Sequence, residues 1–294
     1  MNKKLNGLFI LLLVVGFAGC TPETTETLTT AGGSAEVVDP SIDASGKSQY
    51  RILAWNVELD GGADVHVISK QLKEFEDYDL IALMETTPEA FSVIKKSTKF
   101  KGAIAQSGRQ IRLALLWNDE KFSIEEFEEL DNLNDKKMNH RSPWVMKVKE
   151  TATGEAFYMI TVHLARNRAE LRQRQAEGIR DWARSQSLPI VAIGDFNFDY
   201  VFADEKGNKA FELFQEDDVM QWVRPEKWID TNWYDPESDG ADDYPGSMLD
   251  FAFVAGSAKD WSPRCRVIVR EGDFPDDKQT SDHRPIELLL TPKY

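Results

Sequence analysis

Cysteine is scarce in this chain, whose 294 residues include only Cys20 and Cys265. Cys20 closes an N-terminal segment with the pattern of a processing signal. No intramolecular disulfide is therefore expected in the mature protein, and its stability must come from a buried core or from metal. Cys265 lies in RCRVIVR, where polar and apolar residues alternate as in a strand. We interpret Cys265 as a core residue rather than a nucleophile.

Positively charged residues are also fewer than negatively charged ones. Against 50 Asp and Glu there are 35 Lys and Arg, which gives a formal net charge of −15. This balance argues against a general polyanion-binding surface, although a local site that holds cations still receives phosphate. The sequence further lacks a GxSxG elbow, a P-loop, a zinc-type HExxH motif and paired CxxC motifs. The catalytic classes built on those motifs therefore have no signature here.

The N-terminal segment MNKKLNGLFILLLVVGFAGC has an apolar run, about residues 8–18, that is too short to span a bilayer comfortably. We expect residues 1–19 to be a secretory signal peptide. The ending FAGC resembles the lipobox of bacterial lipoproteins, which implies a lipid on Cys20 and a location in the cell envelope, outside the cytoplasm. The alternatives are a plain signal peptide and an uncleaved anchor.

Residues 20–48 are rich in Thr, Ser, Gly and Glu, with little that can pack, and we predict a flexible, lipid-anchored tether. Residues 49–294 are long enough for one well-buried domain, which we expect to be monomeric. Short apolar runs such as YRILAWNV and LPIVAIGDFN predict strands, and stretches such as RAELRQRQAEGIRDWARSQ predict helices. This mixture favours an α/β fold with a mixed sheet or two packed sheets and helices outside.

Polar residues end or open several of the predicted strands. They are Asn56, Glu85, His163, Asp195, Asn197, Asp250, Asp282 and His283. A carboxylate or amide within an apolar strand costs free energy unless it is paired or ligated. Each one alone is consistent with a capped strand end. Together they indicate a site, because strand ends from one edge of a sheet converge in space.

These residues match the needs of one reaction. Glu85, Asp282 and Asn56 offer the hard oxygen ligands that Mg²⁺, Mn²⁺ or Ca²⁺ takes. Asp250 can accept a hydrogen bond from His283 and so make that imidazole a general base. Asp195 and Asn197, on a turn that follows a glycine, can orient water or a leaving oxygen. The set suits metal-assisted hydrolysis of a phosphate ester.

The motifs WNVE, LIALMET, TVHL, GDFN, MLDF and SDHRP occur in the order typical of the endonuclease/exonuclease/phosphatase superfamily, which this chain resembles from residue 50 to its end. The resemblance implies a four-layer α/β sandwich of two packed mixed sheets flanked by helices. It also implies that Glu85, Asn56 and Asp282 support a metal, with Mg²⁺ the first expectation. His163 would stabilise the phosphate or act as an acid, and Arg141, in HRSPWVMKV, would contact phosphate.

The branch within this superfamily rests on weaker patterns. GDFNFDYVFAD resembles the deoxyribonuclease-like arrangement, and the Trp-Cys-Asp-Arg tetrad of inositol phosphatases is absent. The leading hypothesis is a Mg²⁺-dependent phosphodiesterase of the cell envelope, a nuclease acting on DNA or RNA. The alternatives are a sphingomyelinase-like or small-phosphoester hydrolase and a non-catalytic binding protein on the same fold.

Three charged or aromatic clusters bear on this choice. Arg166 and Arg168 lie near enough to His163 in sequence to reach a phosphate backbone, whereas a solvated face is predicted for the arginines of the next helix, Arg172, Arg174, Arg180 and Arg184. The aromatic residues Trp222, Trp228, Trp233 and Tyr234 favour core or groove packing over membrane insertion. The loop YDPESDGADDYPG is either a solvated acidic loop or a structural Ca²⁺ site that lacks EF-hand spacing.

Overall fold

The structure is a computed structural model that describes residues 49–135, 140–274 and 279–293. The predicted signal peptide, the lipidation site at Cys20 and the tether lie outside these residues. The described strands are β1 (Tyr50–Asn56), β2 (Leu80–Thr86), β3 (Lys101–Ile104), β4 (Arg112–Trp117), β5 (Phe122–Glu129), β6 (Trp144–Glu150), β7 (Ala156–His163), β8 (Ile190–Val201), β9 (Gln221–Trp222), β10 (Ser247–Ala255), β11 (Arg264–Val267) and β12 (Ile286–Leu290). The described α-helices are α1 (Val65–Gln71), α2 (Pro88–Ser97), α3 (Ala169–Arg184) and α4 (Lys209–Gln215).

The strands form two mixed six-stranded sheets, ordered β11-β12-β1-β2-β4-β3 and β5-β6-β7-β8-β10-β9. Each sheet has one parallel pair near its centre, β1 with β2 and β7 with β8. These strands are apolar on both faces, as expected where a sheet is covered on both sides. Because parallel neighbours end at the same edge, the residues that end these four strands lie together.

The two sheets pack face to face over a central core. Ile52 and Leu288 of the first sheet belong to the same buried cluster as Phe157 and Ile193 of the second. The side chains of these residues point inward because they occupy alternate positions of their strands. The residues between them point outward and form the two outer cores.

Helices cover both outer faces. On the first sheet, Leu53 is buried with Ile68 of α1 and Phe91 of α2. On the second sheet, Ile179 of α3 and Phe214 of α4 complete the other outer core. The layers are therefore helices, sheet, sheet and helices, and the predicted four-layer sandwich is confirmed. Within the described residues, the helices are too short or too polar to cross a membrane.

Local sequence explains where the helices begin. Thr87 accepts a hydrogen bond from the amide of Ala90 at 3.1 Å, and Pro88 occupies the first turn of α2. Asn208 caps α4 in the same way by accepting a hydrogen bond from the amide of Ala210. The predictions from the sequence missed α4 and the two-residue β9, because both are short.

Candidate active site

The ends of β1, β2 and β8 meet across the two sheets. The side-chain amide of Asn56 donates to Glu85 Oε1 at 3.2 Å and to Asp195 Oδ2 at 3.2 Å. Asn56 and Asp195 are buried, and Glu85 remains partly accessible. The sheet packing therefore brings together two carboxylates that are 110 positions apart in the chain, with one amide between them.

His163, at the end of β7, lies against the same two carboxylates. Its Nδ1 is 3.6 Å from Glu85 Oε1, and its Nε2 is 3.4 Å from Asp195 Oδ2. Burial, together with the nearby cations of Arg141 and His283, lowers the pKa of His163 well below its ordinary value. The ring is therefore neutral at physiological pH and can bind a phosphate oxygen through an N–H group.

Asp250 and His283 form a second buried pair. Asp250 Oδ2 is 2.7 Å from His283 Nδ1, while His283 Nε2 is 4.0 Å from Asp282 Oδ1. Burial opposes protonation of the ring, but the carboxylates of Asp250 and Asp282 outweigh it and raise the pKa of His283 well above its ordinary value. The hydrogen bond at Nδ1 fixes the ring orientation and directs Nε2 toward Asp282.

Neighbouring residues hold the backbone on which this pair depends. Trp55 Nε1 donates to the carbonyl of His283 at 2.9 Å, and the amide of His283 donates to Ser281 Oγ at 2.9 Å. Thr231 Oγ1 accepts from the amides of Leu249 and Asp250, where the pairing of β10 with β8 shifts register. Sequence reasoning missed Trp55, Ser281 and Thr231 as supporting residues, although Ser281 lies within the quoted SDHRP motif.

The GDFN turn places two polar groups by a close approach of backbones. At Gly194 the φ angle is +143°, and a Cβ atom there would lie 2.4 Å from the carbonyl oxygen of Val162. The amide of Asn197 donates to Asp195 Oδ1 at 3.0 Å, and its side chain donates to the carbonyl of Leu164 at 2.9 Å. Asp195 and Asn197 are thereby fixed on one rigid strand end.

Three acidic or amide residues of the site adopt the left-handed conformation that is rare outside glycine: Glu58 (φ 48°), Glu85 (φ 55°) and Asn197 (φ 51°). Such strain concentrates at functional sites, where surrounding contacts maintain it. Glu58 was missed as a candidate, although it closes the WNVE motif. Its amide donates to Asn56 Oδ1 at 3.2 Å, and its Oε2 accepts from the amide of Asp282 at 3.1 Å.

The two predicted phosphate-binding arginines border the site. Arg141 Nε donates to the carbonyl of His163 at 3.4 Å. Arg166 donates to Asn197 Oδ1 at 3.3 Å and pairs with Asp199. The solvated face predicted for the following helix is wrong for Arg172 and Arg180, which are buried.

These two helix arginines turn inward because each finds acceptors there. Arg172 Nη1 donates to the carbonyls of Ala165 and Arg166, and Arg180 Nη1 donates to the carbonyl of Leu213 and the carboxylate of Glu216. Arg172 thus secures the backbone that carries Arg166.

The aromatic residues and the acidic loop lie beside this site. Trp228 stacks on Tyr200 and Phe202, with ring centroids 5.5 and 5.3 Å apart, and 38% of its surface remains exposed. In the acidic loop, Asp235 and Asp242 accept hydrogen bonds from amides of the loop itself. These contacts support the interpretation as a solvated loop.

The donor groups of the site fit a hard divalent cation. Burial and the Asp60 carboxylate raise the pKa of Glu85, and burial and Asp250 raise the pKa of Asp195 to about 7. Burial is the larger cause of both shifts and neighbouring negative charge the smaller, and a bound cation would counter both effects. No group of three or more His, Cys, Asp or Glu side chains in the described part of the chain is arranged around a common metal position. Mg²⁺ does not require one, because it binds through one or two carboxylates and retains water ligands.

Solved structures that share the fold include the following three proteins. An endonuclease/exonuclease/phosphatase family protein from Bacteroides thetaiotaomicron is 17% identical, with a TM-score of 0.62 over 84% of this chain and 98% of that chain. Bacteroides thetaiotaomicron VPI-5482 mannosyl-6-phosphatase is 18% identical, with a TM-score of 0.61 over 82% and 99%. D. rerio TDP2 complexed with single strand DNA product is 16% identical, with a TM-score of 0.66 over 83% and 100%. At such identities the likeness shows the fold alone.

Sequence comparison identifies the family more directly. No protein with a curated description matches the chain. The sequence model of the Endonuclease/Exonuclease/phosphatase family, whose members are hydrolases of phosphoester bonds, matches residues 53–283, which is well over half of the chain. The chain belongs to the endonuclease/exonuclease/phosphatase family.

Proposed function

We propose that this protein is a divalent-metal-dependent phosphodiesterase of the cell envelope that acts on nucleic acid. The buried Asp250–His283 pair, 2.7 Å apart, carries the proposal. It lies in the same electrostatic environment as Glu85 and Asp195, because each of these carboxylates interacts with the charge of His283. A base and a carboxylate cluster that share a site are the two parts that phosphoester hydrolysis requires.

Each residue of the site has a separate role in the proposed reaction. Asp250 accepts a hydrogen bond from the Nδ1–H group of His283, so that Nε2 is free to take a proton from the attacking water. Glu85, Asn56 and Asp282 would hold Mg²⁺, and the bound cation would supply positive charge at the phosphate oxygens and offset the carboxylates that raise the pKa of His283. Asp195 would position the attacking or leaving oxygen beside this group.

The remaining polar groups face the phosphate. His163, held neutral, donates a hydrogen bond to a phosphate oxygen, and Arg141 and Arg166 add charge at the border of the site. Asn197 orients the oxygen that enters or leaves. Its position is fixed because its backbone amide donates to Asp195 and its side chain donates to the carbonyl of Leu164. These contacts would accelerate hydrolysis by positioning the phosphate and by stabilising the charge that develops on its oxygens.

Two observations bear on the substrate. Trp228 stacks on Tyr200 and Phe202, which favours a partly packed aromatic cluster over a membrane-inserting hairpin of the sphingomyelinase type, although 38% of the Trp228 surface is exposed. The acidic loop at residues 235–243 adjoins a pocket through Tyr244, and this favours a small phosphoester as the second candidate. A mannosyl-6-phosphatase shares the fold, as does TDP2 with single strand DNA product.

The test is hydrolysis of supercoiled plasmid, single-stranded RNA, sphingomyelin and bis-p-nitrophenyl phosphate, each with Mg²⁺, Mn²⁺, Ca²⁺ or a chelator. We expect metal-dependent nicking of the plasmid, reduced by roughly 10²–10⁴-fold in His283→Ala. Cleavage of only the small diester would select the second candidate. A folded protein inactive on all four would contradict the phosphodiesterase proposal and favour a phosphomonoesterase or a binding protein.

The envelope location has its own test. Cys20→Ser should move the protein from the membrane fraction to the soluble fraction, because lipidation requires the thiol. Membrane retention of this variant with an intact N-terminal segment would instead indicate an uncleaved anchor.

A further inference from the structure

A basic cleft lies beside the candidate active site. Five of its lining residues carry cationic or imidazole side chains: Arg109, His140, Arg141, Arg166 and Arg168. The cleft has a volume of about 590 Å³, and none of its described lining residues is Asp or Glu. In a chain with a net charge of −15, such a concentration of positive charge calls for an anionic ligand. We call it the arginine cleft.

The arginine cleft is continuous with the reaction centre. Arg141 lines it and donates through Nε to the carbonyl of His163 at 3.4 Å. Arg166 lines it and donates to Asn197 Oδ1 at 3.3 Å. A ligand with one phosphate at the reaction centre can therefore reach the cleft, whose lining also includes Arg109 and Arg168.

The positive charges of the cleft act on one another. Burial and the cations of Arg141, Arg168 and Arg109 lower the pKa of His140, so its ring is neutral near pH 7. The three guanidinium groups are thus close enough to influence one imidazole. Arg168 pairs with Asp135 and Arg166 pairs with Asp199, so part of the positive charge is already offset, and an anion between the guanidinium groups would stabilise the rest.

The start of helix α3 adds a second, independent feature. Its N-cap residue is Arg168, whose side chain makes no capping hydrogen bond. An arginine has only donor groups and cannot accept from the amides of the first turn. These amides and the helix dipole favour an anion at this end of a 16-residue helix.

We propose that the arginine cleft binds a second phosphate group of the substrate, next to the phosphoester that is hydrolysed. This proposal rests on the proposed function and makes the substrate class narrower. The guanidinium fork matches phosphate geometry. On the other side of Arg166, a pocket of about 400 Å³ includes Asp199 and Tyr244, so an anion is disfavoured there. The second phosphate therefore lies on the side of Arg109 and Arg168.

The experiment compares matched pairs of chromogenic diesters. The p-nitrophenyl esters of thymidine 3′-phosphate and thymidine 5′-phosphate are each tested with and without a phosphate on the other hydroxyl. We expect the added phosphate to raise kcat/KM roughly tenfold for one isomer, chiefly through KM. In Arg109→Ala and Arg168→Ala, this ratio should fall toward one.

Arg184→Ala is the matched control, since Arg184 is an exposed arginine of the same helix that pairs with Asp181 and Asp217. This variant should keep the full ratio. A ratio near one for both isomers in the unmodified protein, or a ratio that Arg109→Ala and Arg168→Ala leave unchanged, would overturn the proposal while leaving phosphodiester hydrolysis intact.

Failure of the proposed hydrolysis can be distinguished from failure of the cleft to bind phosphate. If no diester is hydrolysed, calorimetry compares thymidine 3′,5′-bisphosphate with both thymidine monophosphates. Tighter binding of the bisphosphate that is lost in Arg168→Ala would support the cleft, and equal affinities would refute it. The second phosphate can also belong to a phosphorylated small molecule. This alternative is tested by comparing the rates of phosphate release from fructose 1,6-bisphosphate and from fructose 6-phosphate. A gain in the nucleotide pair alone identifies a polynucleotide.

Discussion

Replacing Asp250 with Asn tests whether the buried carboxylate directs proton transfer by His283. Asp250 Oδ2 lies 2.7 Å from His283 Nδ1, with both side chains buried. In the native protein the imidazole keeps its proton on Nδ1 and donates a hydrogen bond from this N–H group to the carboxylate. An asparagine can instead present its N–H to Nδ1, which then must accept, and the ring proton moves to Nε2. The atom that should receive a proton from water would already carry one.

The size of the effect follows from this change of tautomer. Proton transfer by a positioned base contributes about 10²–10⁴-fold to a rate. We expect Asp250→Asn to lower kcat by that factor while KM stays within about threefold, because the substrate contacts do not change. Loss of a buried charge-assisted hydrogen bond should also lower the free energy of unfolding by about 1–3 kcal/mol. The variant should therefore fold but turn over slowly.

The assay is steady-state hydrolysis of bis-p-nitrophenyl phosphate, with thermal unfolding followed in parallel. Asp79→Asn is the control, since Asp79 is a buried carboxylate paired with Lys121 just before β2, at the end of that strand opposite Glu85. It should lower stability but keep kcat. A folded Asp250→Asn protein with kcat within about threefold of the native value would refute the role given to Asp250.

Three further outcomes are expected. Glu85→Gln should lower activity by roughly 10²–10³-fold and raise the Mg²⁺ concentration needed for half-maximal rate, measured by metal titration. Gly194→Ala should lower the free energy of unfolding by about 2–3 kcal/mol in urea, because its Cβ would lie 2.4 Å from the carbonyl oxygen of Val162. Gly240→Ala, which has positive φ but open space around it, should lose less. Burial, Glu287 and Glu226 raise the pKa of Cys265 to about 12, so in a Cys20→Ser chain the thiol should resist iodoacetamide at pH 8 until denaturant is added.

Much of the fold was visible in the sequence because its strands are apolar on both faces. LIALMET and LPIVAIGDFN predict strands, and β2 and β8 occupy these positions. β8 continues beyond Asn197 to Val201, since its far end pairs with β10 at Ser247. That pairing joins segments far apart in the chain, and no local pattern reveals it.

The candidate site was partly visible for a chemical reason. Asp250 and His283 are 33 positions apart, and their pairing was predicted because an acid fixes the tautomer of a catalytic imidazole. Glu58 and Thr231 could not be found in that way. Glu58 depends on a left-handed backbone that turns it toward Asp282, and Thr231 depends on the register shift in β10. Both are properties of the packed backbone rather than of residue type.

The net charge, like residue type, does not show how groups are arranged at the site. At physiological ionic strength the Debye length is about 8 Å, so acidic groups on distant faces are largely screened from a ligand at the site. The groups that line the site act at contact distance, and there Arg109, Arg141 and Arg168 line the cleft on one side of Arg166, whereas Asp199 lines the pocket on the other. A substrate with a phosphate on one side of the scissile bond and an uncharged group on the other matches both the basic side and the acidic side of the site. We therefore expect this local asymmetry, rather than the total of −15, to set the orientation in which a substrate binds.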